Sequence, residues 1–174
     1  MLLAGACWSL AAGARNVPDG FSRERGLEQF ISFARTVGEI AQQWGVMVGL
    51  EAITRREKTN IINSLTEAVD IARRVNHPAV EIIADVFHMA MEHEPYCHIS
   101  VYKDWIIHVH LADSERGAPG AERLPWTEAF DHLHRAGYDG LMSHECRWDD
   151  FGAQAAESTR FVRGVWAKGQ LTAP

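Results

Sequence analysis

The 174 residues are 47% hydrophobic and 23% charged, with a formal net charge of −6, a globular composition with enough apolar material for a sizeable core. The acidic balance and the lack of basic runs argue against a nucleic-acid or anionic-membrane partner, and no apolar run is long enough for a transmembrane helix. Cys7, Cys97 and Cys146 are odd in number, widely spaced and form no CxxC pair, so reduced thiols in a cytoplasmic protein are expected rather than a disulfide framework.

The opening MLLAGACWSLAAGARN invites a signal-peptide reading, yet no Lys or Arg precedes its apolar run and Trp8-Ser9 interrupts it. Leu2 to Trp8 reads instead as a first strand, with a signal sequence as the alternative. Ala11 to Gly20 is a Gly/Pro/Asn/Asp loop. From Ser22 to Trp44, Leu27, Phe30, Ile31, Ala34, Val37, Ala41 and Trp44 recur at helical spacing, and Gly45 supplies a stop. Val46 to Ile53 is an almost unbroken apolar run carrying one acid, Glu51, as a strand buried in a parallel sheet would. Ser64-Leu65-Thr66-Glu67 fits a capping box for a helix that His77-Pro78 ends. Val80 to Met89 reads as a further strand with Asp85 near its C-terminal end, and Glu92 to Tyr102 as a short polar helix or turn.

Ile106 to Leu111 is the next strand, breaking into the polar loop ADSERGAPG. Strand alternation puts His108 and His110 on one side and Ile107, Val109 and Leu111 on the other. Pro125 precedes a helix with Ala129, Phe130 and Leu133 inward, closed by Gly137. Gly140 to Cys146 is the last strand, and Phe151 to Trp166 a last helix with Ala155, Ser158, Phe161, Val162 and Val165 on one face. Strand and helix thus alternate, with apolar strands and short loops. That pattern predicts an α/β fold with a parallel sheet covered by helices, doubly wound or barrel-forming. Neither GxGxxG nor a P-loop follows the first strand, so a nucleotide-binding reading lacks its motif.

Four consecutive strands end in Glu51, Asp85, His110 and Glu145. The C-terminal ends of parallel strands share one rim, so these side chains are expected to converge there. Three carboxylates packed together raise one another's pKa unless a cation neutralises them, and three oxygens with one imidazole suit Mn²⁺, Mg²⁺ or Co²⁺ better than a tetrahedral zinc site. A strand-end acid taken singly is more often a helix cap or a salt-bridge partner; four at one relative position point to a site. His108 reads as a core histidine, with a supporting role beside the site as the alternative.

At these residues the chain resembles the sugar phosphate isomerase/epimerase family of xylose isomerase-like TIM barrels, especially the D-tagatose/D-psicose 3-epimerase branch. The matching pieces are LEAITRREKTNIINS, ADVFHM, HVHLADSERGAPG and GYDGLMSHE, in family order and spacing. The resemblance implies a (β/α)₈ barrel in which Glu51, Asp85, His110 and Glu145 bind a divalent metal, usually manganese, and Glu51 and Glu145 act as the acid/base pair. It implies that Glu57, His88 and Arg116 hold substrate hydroxyls and the carbonyl, and that Trp8 matches an aromatic wall of the pocket. The implied activity is epimerisation or isomerisation of a small ketose or sugar acid by proton transfer through an enediolate.

A complete barrel of this kind takes about 250 residues, and the strands here supply five units, resembling the fourth to the eighth. Residues 1–174 are therefore expected to form one partial-barrel domain, N-terminally truncated relative to the family. Its first and last strands would have unpaired edges that favour a homo-oligomer. Cys146-Arg147 stands where this branch tends to carry Pro and an aromatic, which leaves an aldose–ketose isomerase or hydroxypyruvate isomerase open. Two other functions compete: a catalytically silent, sugar-binding remnant, and an endonuclease IV-like phosphodiesterase. The latter needs several zinc ions and a basic surface, against which the acidic balance counts. The substrate is expected to be unphosphorylated, since no Gly-rich phosphate nest follows the last two strands.

Overall fold

A computed structural model of the chain describes residues 7–9, 16–57, 59–120 and 124–170. In chain order the elements are β1 (Cys7–Ser9), α1 (Arg23–Gln43), β2 (Met47–Glu51), α2 (Leu65–Val75), β3 (Val80–Asp85), α3 (Val86–Met91), α4 (Cys97–Val101), β4 (Ile106–Leu111), α5 (Trp126–Arg135), β5 (Met142–His144) and α6 (Phe151–Gln170). Short 3₁₀ turns at Arg55–Glu57 and Lys103–Trp105 and a tight turn with non-helical backbone at Ser114–Arg116 punctuate the loops. The five strands form one sheet in the order β1-β2-β3-β4-β5, every neighbouring pair parallel. This is a partial barrel of five β/α units. Of the expected first strand, Cys7–Ser9 is the described part; Leu2 to Ala6, where a signal sequence would also begin, lies outside the described residues.

Alternation along the strands sorts the chemistry. Val48, Leu50, Ile82, Ala84, Val109 and Leu111 point outward into one continuous core with the inner faces of the helices. Glu51, Asp85 and His110 fall on the opposite, concave face. One irregularity makes that sorting work on β4: Ile82 pairs with Ile106, but Ile83 pairs with His108. The extra residue, Ile107, is a β-bulge that shifts the phase, so Ile106 joins the outer core while His108 and His110 turn inward beside Ile83 and Asp85.

The helix ends are tied by side chains. Ser64 Oγ caps α2 by accepting from Glu67 N at 3.2 Å, and the Glu67 carboxylate returns to Asn63 N at 2.6 Å rather than to the cap residue itself. The buried Glu94 carboxylate accepts the free Leu65 N–H at 3.0 Å. At the other end Arg35 donates to the carbonyls of Val75 and Arg74 at 3.0 and 2.9 Å, binding α1 to the C-terminus of α2. Gly38 lets α1 approach β3 closely: a Cβ there would meet His77 and Val80 at 2.7 Å.

Three strands are shorter than the sequence reading, β3 and also β2 and β5, expected over Val46 to Ile53 and Gly140 to Cys146, and one helix residue faces outward instead of inward. The strand expected over Val80 to Met89 stops at Asp85, whose carboxylate accepts from Phe87 N and His88 N and starts α3. Trp44, expected inward, is 76% exposed at the C-cap of α1; the buried residues there are Ile31, Ala34, Gly38 and Ala41. The packing makes a testable contrast. Phe130 is fully buried and Phe33 is 53% exposed, so chemical denaturation should show Phe130→Ala losing about 3–5 kcal/mol and Phe33→Ala shifting stability by no more than about 0.5 kcal/mol.

Candidate metal-binding active site

The concave face closes at the C-terminal rim of the sheet. Glu51 ends β2, Asp85 ends β3, His110 is the penultimate residue of β4, and Glu145 follows β5 directly. Glu51, Asp85 and His110 are buried at 1%, 2% and 7% exposure, whereas the Glu145 side chain is 42% exposed. His110 Nδ1 lies between two of these acids, 2.8 Å from Glu51 Oε1 and 3.1 Å from Glu145 Oε2. Arg116 enters from the turn after β4. Its Nη1 donates to Asp85 Oδ2, Glu145 Oε2 and the Glu145 carbonyl, each at 3.2 Å, and its Nε donates to Glu57 Oε1 at 3.0 Å. The guanidinium also lies 4.9 Å above the Phe87 ring.

Local geometry explains how each group is aimed. Asp85 divides its two oxygens, Oδ1 capping α3 and Oδ2 facing the cluster, so helix capping orients the carboxylate. Beginning the helix right after Asp85 brings His88 back over the site, one turn on. Its Nδ1 accepts from Thr54 N at 3.2 Å, which leaves the ring proton on Nε2. Nε2 lies 3.6 Å from Asp85 Oδ2 and 3.2 Å from Arg116 Nη2. Two donors therefore converge from His88 and Arg116, arranged for an acceptor oxygen. Glu115 and Arg116 both hold φ near 60°, a left-handed conformation costly for residues with side chains, and it turns the guanidinium inward.

The electrostatics are those of crowded acids. Burial, followed by the Glu51 charge, pushes the Asp85 carboxyl up to about 8 despite Arg116 and His110. Burial opposes charge on His110, but hydrogen bonds to Glu145 and Glu51 prevail and raise it to about 10. Glu145 is held down at about 2, burial being outweighed by the His110 and Arg116 contacts. His88 is lowered to about 4 by burial and then by the Arg116 charge, so it is neutral.

These residues fit a divalent cation. Ligand atoms of Glu51, Asp85, His88 and Glu145 lie within 4.8 Å of one another, and the acids are only partly offset by a protonated histidine and a guanidinium. A hard dication with oxygen ligands satisfies such a donor set. The structure brings together Glu51, Asp85, His110, Glu145, Glu57, His88 and Arg116, seven of the eight residues singled out in the sequence. The eighth is Trp8, whose side chain lies outside the described residues.

Contacts the sequence reading missed are Ser9, whose Oγ donates to Glu51 Oε2 at 2.9 Å, and Thr54, whose N–H fixes His88. Ser143, hydrogen-bonded to His108 at 2.7 Å, is another. Ser143 alone left a signal, being two residues before Glu145 and hence on its strand face.

Residues 4–165 match the profile of the Xylose isomerase-like TIM barrel family. The chain belongs to that family. It is 32% identical to the D-psicose 3-epimerase of Ruminiclostridium cellulolyticum over 119 residues, 68% of this chain and 40% of that protein. It is 30% identical to the 3-dehydro-D-guloside 4-epimerase of Escherichia coli over 114 residues, 65% of this chain and 43% of that protein. An L-ribulose 3-epimerase structure superposes with a TM-score of 0.85 at 22% identity, covering 97% of this chain and 65% of that one, a likeness of fold. The chain thus spans less than half the length of these curated relatives.

The charge balance predicts a pH dependence. Between its ordinary 3.8 and about 8 for Asp85, and between 6.5 and about 10 for His110, the folded chain holds protons that the unfolded chain releases. Stability from these groups therefore falls as pH rises through 7 to 9. Glu145 and His88 act in the opposite sense but only in acid, below their ordinary 4.5 and 6.5. Thermal melts should show a lower Tm at pH 9 than at pH 7. Saturating Mn²⁺ should shrink that difference, because the cation replaces the protons.

Proposed function

We propose that this chain carries the cation-holding and proton-transfer half of an epimerase or isomerase of a small ketose or sugar acid. The observation that supports this most directly is the meeting of three strand-end carboxylates with His110 and Arg116 on one rim. Residues 1–174 are read as one partial-barrel domain holding the fourth to eighth units. Glu51, Asp85, His110 and Glu145 are proposed as the ligands, with Mn²⁺ preferred and Mg²⁺ or Co²⁺ possible. His110 is favoured over His88 because Nε2 of His88 carries a proton while Nδ1 is taken by Thr54 N–H, whereas His110 Nδ1 gains a free lone pair once its proton leaves.

A dication bound there supplies Lewis acidity toward a hydroxyl–carbonyl pair and so acidifies the adjacent C–H. The remaining work belongs to side chains. Glu51 and Glu145 come from separate strands and reach His110 Nδ1 from two sides. One of them takes the carbon proton, and for epimerisation the other returns one to the opposite face. Arg116 Nη2 and His88 Nε2–H meet the charge that develops on the substrate oxygen. Glu57, oriented by its bond to Arg116 Nε, accepts a substrate hydroxyl, and Trp8 is assigned to the pocket wall. An unphosphorylated substrate and a homo-oligomer complete the proposal.

Calorimetry of the purified chain with Mn²⁺ tests the site. Stoichiometric binding is expected, and Glu145→Ala should weaken it at least about tenfold. In D₂O, exchange of the ketose C–H should accompany binding, and Glu51→Gln should lower its rate by about 10²–10⁴-fold. Binding without exchange would favour a sugar-binding remnant, a reading motivated by the chain spanning less than half of its curated relatives. No binding by a folded chain would sink the metal reading.

A further inference from the structure

We propose that the His108–Ser143 pair is a positioning latch that holds Glu145 in register opposite His110, an inference that rests on the metal-site reading above. Glu145 is the least supported of the proposed ligands. It follows a strand of three residues, β5, which pairs among the described strands with β4 alone. Its side chain is 42% exposed, where the Glu51 and Asp85 side chains are 1% and 0% exposed. Edge strands of this length fray unless they are fastened.

The fastening is visible on the inner face. In the β4–β5 register His110 stands opposite Ser143. His108 lies two residues before His110 on the same face, and Ser143 two before Glu145. His108 Nε2 and Ser143 Oγ are hydrogen-bonded at 2.7 Å, and one level higher His110 Nδ1 meets Glu145 Oε2 at 3.1 Å. The two imidazoles pack edge to face, with centroids 5.2 Å apart and planes at 79°.

Four side chains thus form a two-by-two block, the lower bond setting the spacing of the upper. The backbone adds Glu145 N donating to Leu111 O at 3.0 Å, at the end of the ladder. A core histidine merely satisfied by a nearby hydroxyl would hold no ligand in place. Here its partner is on the strand that delivers the ligand, two residues upstream.

The test uses the whole chain with Ser143→Ala, His108→Phe (a ring without the bond), His108→Gln (an amide near the Nε2 position) and the double variant S143A/H108F. Mn²⁺ affinity is read by calorimetry, with Tm measured alongside. Ser143→Ala and His108→Phe should each weaken binding about 10–100-fold. His108→Gln should stay within about threefold of wild type, and the double variant should be no weaker than the worse single one, since both remove the same bond.

Wild-type-like affinity in both single variants, in a chain that binds Mn²⁺, would overturn the latch and leave the metal site standing. If the unmutated chain does not bind Mn²⁺, the metal reading falls, and amide hydrogen exchange at Glu145 decides the latch separately. Exchange at least about tenfold faster in Ser143→Ala, with Leu50 and Val109 unchanged, supports it. Equal exchange overturns it.

Discussion

Three carboxylates gathered in one largely buried place is the constraint around which this molecule is arranged. A parallel sheet delivers every strand's C-terminal end to the same rim, and alternation sends Glu51, Asp85 and, after the bulge at Ile107, His110 to the same face. Topology makes the acids meet; electrostatics then makes them expensive. Like charges a few ångströms apart, shielded from water, repel far more strongly than on a surface. Arg116 touches Asp85, Glu145 and Glu57, and protonated His110 touches Glu51 and Glu145, so two positive groups stand against four acids. The residual imbalance falls on Asp85, whose side chain is wholly buried and which retains its proton up to about pH 8. Such a centre is completed by protons or by a cation.

Holding that arrangement costs local strain, carried in the loops. Glu115 and Arg116 are left-handed, and Ile62, β-branched and fully buried, sits at φ 58° in the loop after β2. That loop is closed by Ile53 N donating to Ile62 O at 3.0 Å and by Asn63 Nδ2 donating to Ile53 O at 2.7 Å. Its closure presents the Thr54 N–H to His88 and Glu57 to Arg116. Thr54 Oγ1 and Arg55 N both donate to Glu92 Oε1 beyond the end of α3, fastening the same loop to the helix that carries His88. The helices behind are conventional amphipathic cover, and the other left-handed non-glycine residues among those described, Asn76 and His93, lie at or just past helix ends.

Much of this was legible in the sequence, for identifiable reasons. Apolar runs broken by helical periodicity marked the five β/α units, and an acid or histidine at the same point of four runs marked the rim. The stop of β3 was not legible by pattern, because VEIIADVFHM is mostly apolar on both sides of Asp85 and such a run reads equally as strand or helix. Only the capping capacity of Asp85 separates the two, and it placed His88 on a helix instead of a strand. Trp44 was misplaced because the apolar residues of α1 cover more of its circumference than its neighbours bury. Ser9 was invisible for another reason: its partner is set by strand register, a long-range property that no local window contains, and for Ser143 the strand face was legible but the partner was not.

The two histidines at the rim show how environment, not residue type, divides the labour. His88 and His110 are both buried, and burial alone lowers both pKa values. His110 faces two carboxylates, so its proton is stabilised and the ring is cationic, filling with H⁺ a place suited to a larger positive charge. His88 faces a backbone N–H on one side and a guanidinium on the other, so it stays neutral, with Nδ1 accepting from Thr54 and its remaining proton on Nε2. In the proposed reading the first ring exchanges its proton for a cation, and the second donates a hydrogen bond while remaining uncharged. Swapping their partners would swap these properties. The chemistry therefore resides in Glu51, Glu145, Thr54 and Arg116 as much as in the imidazoles themselves.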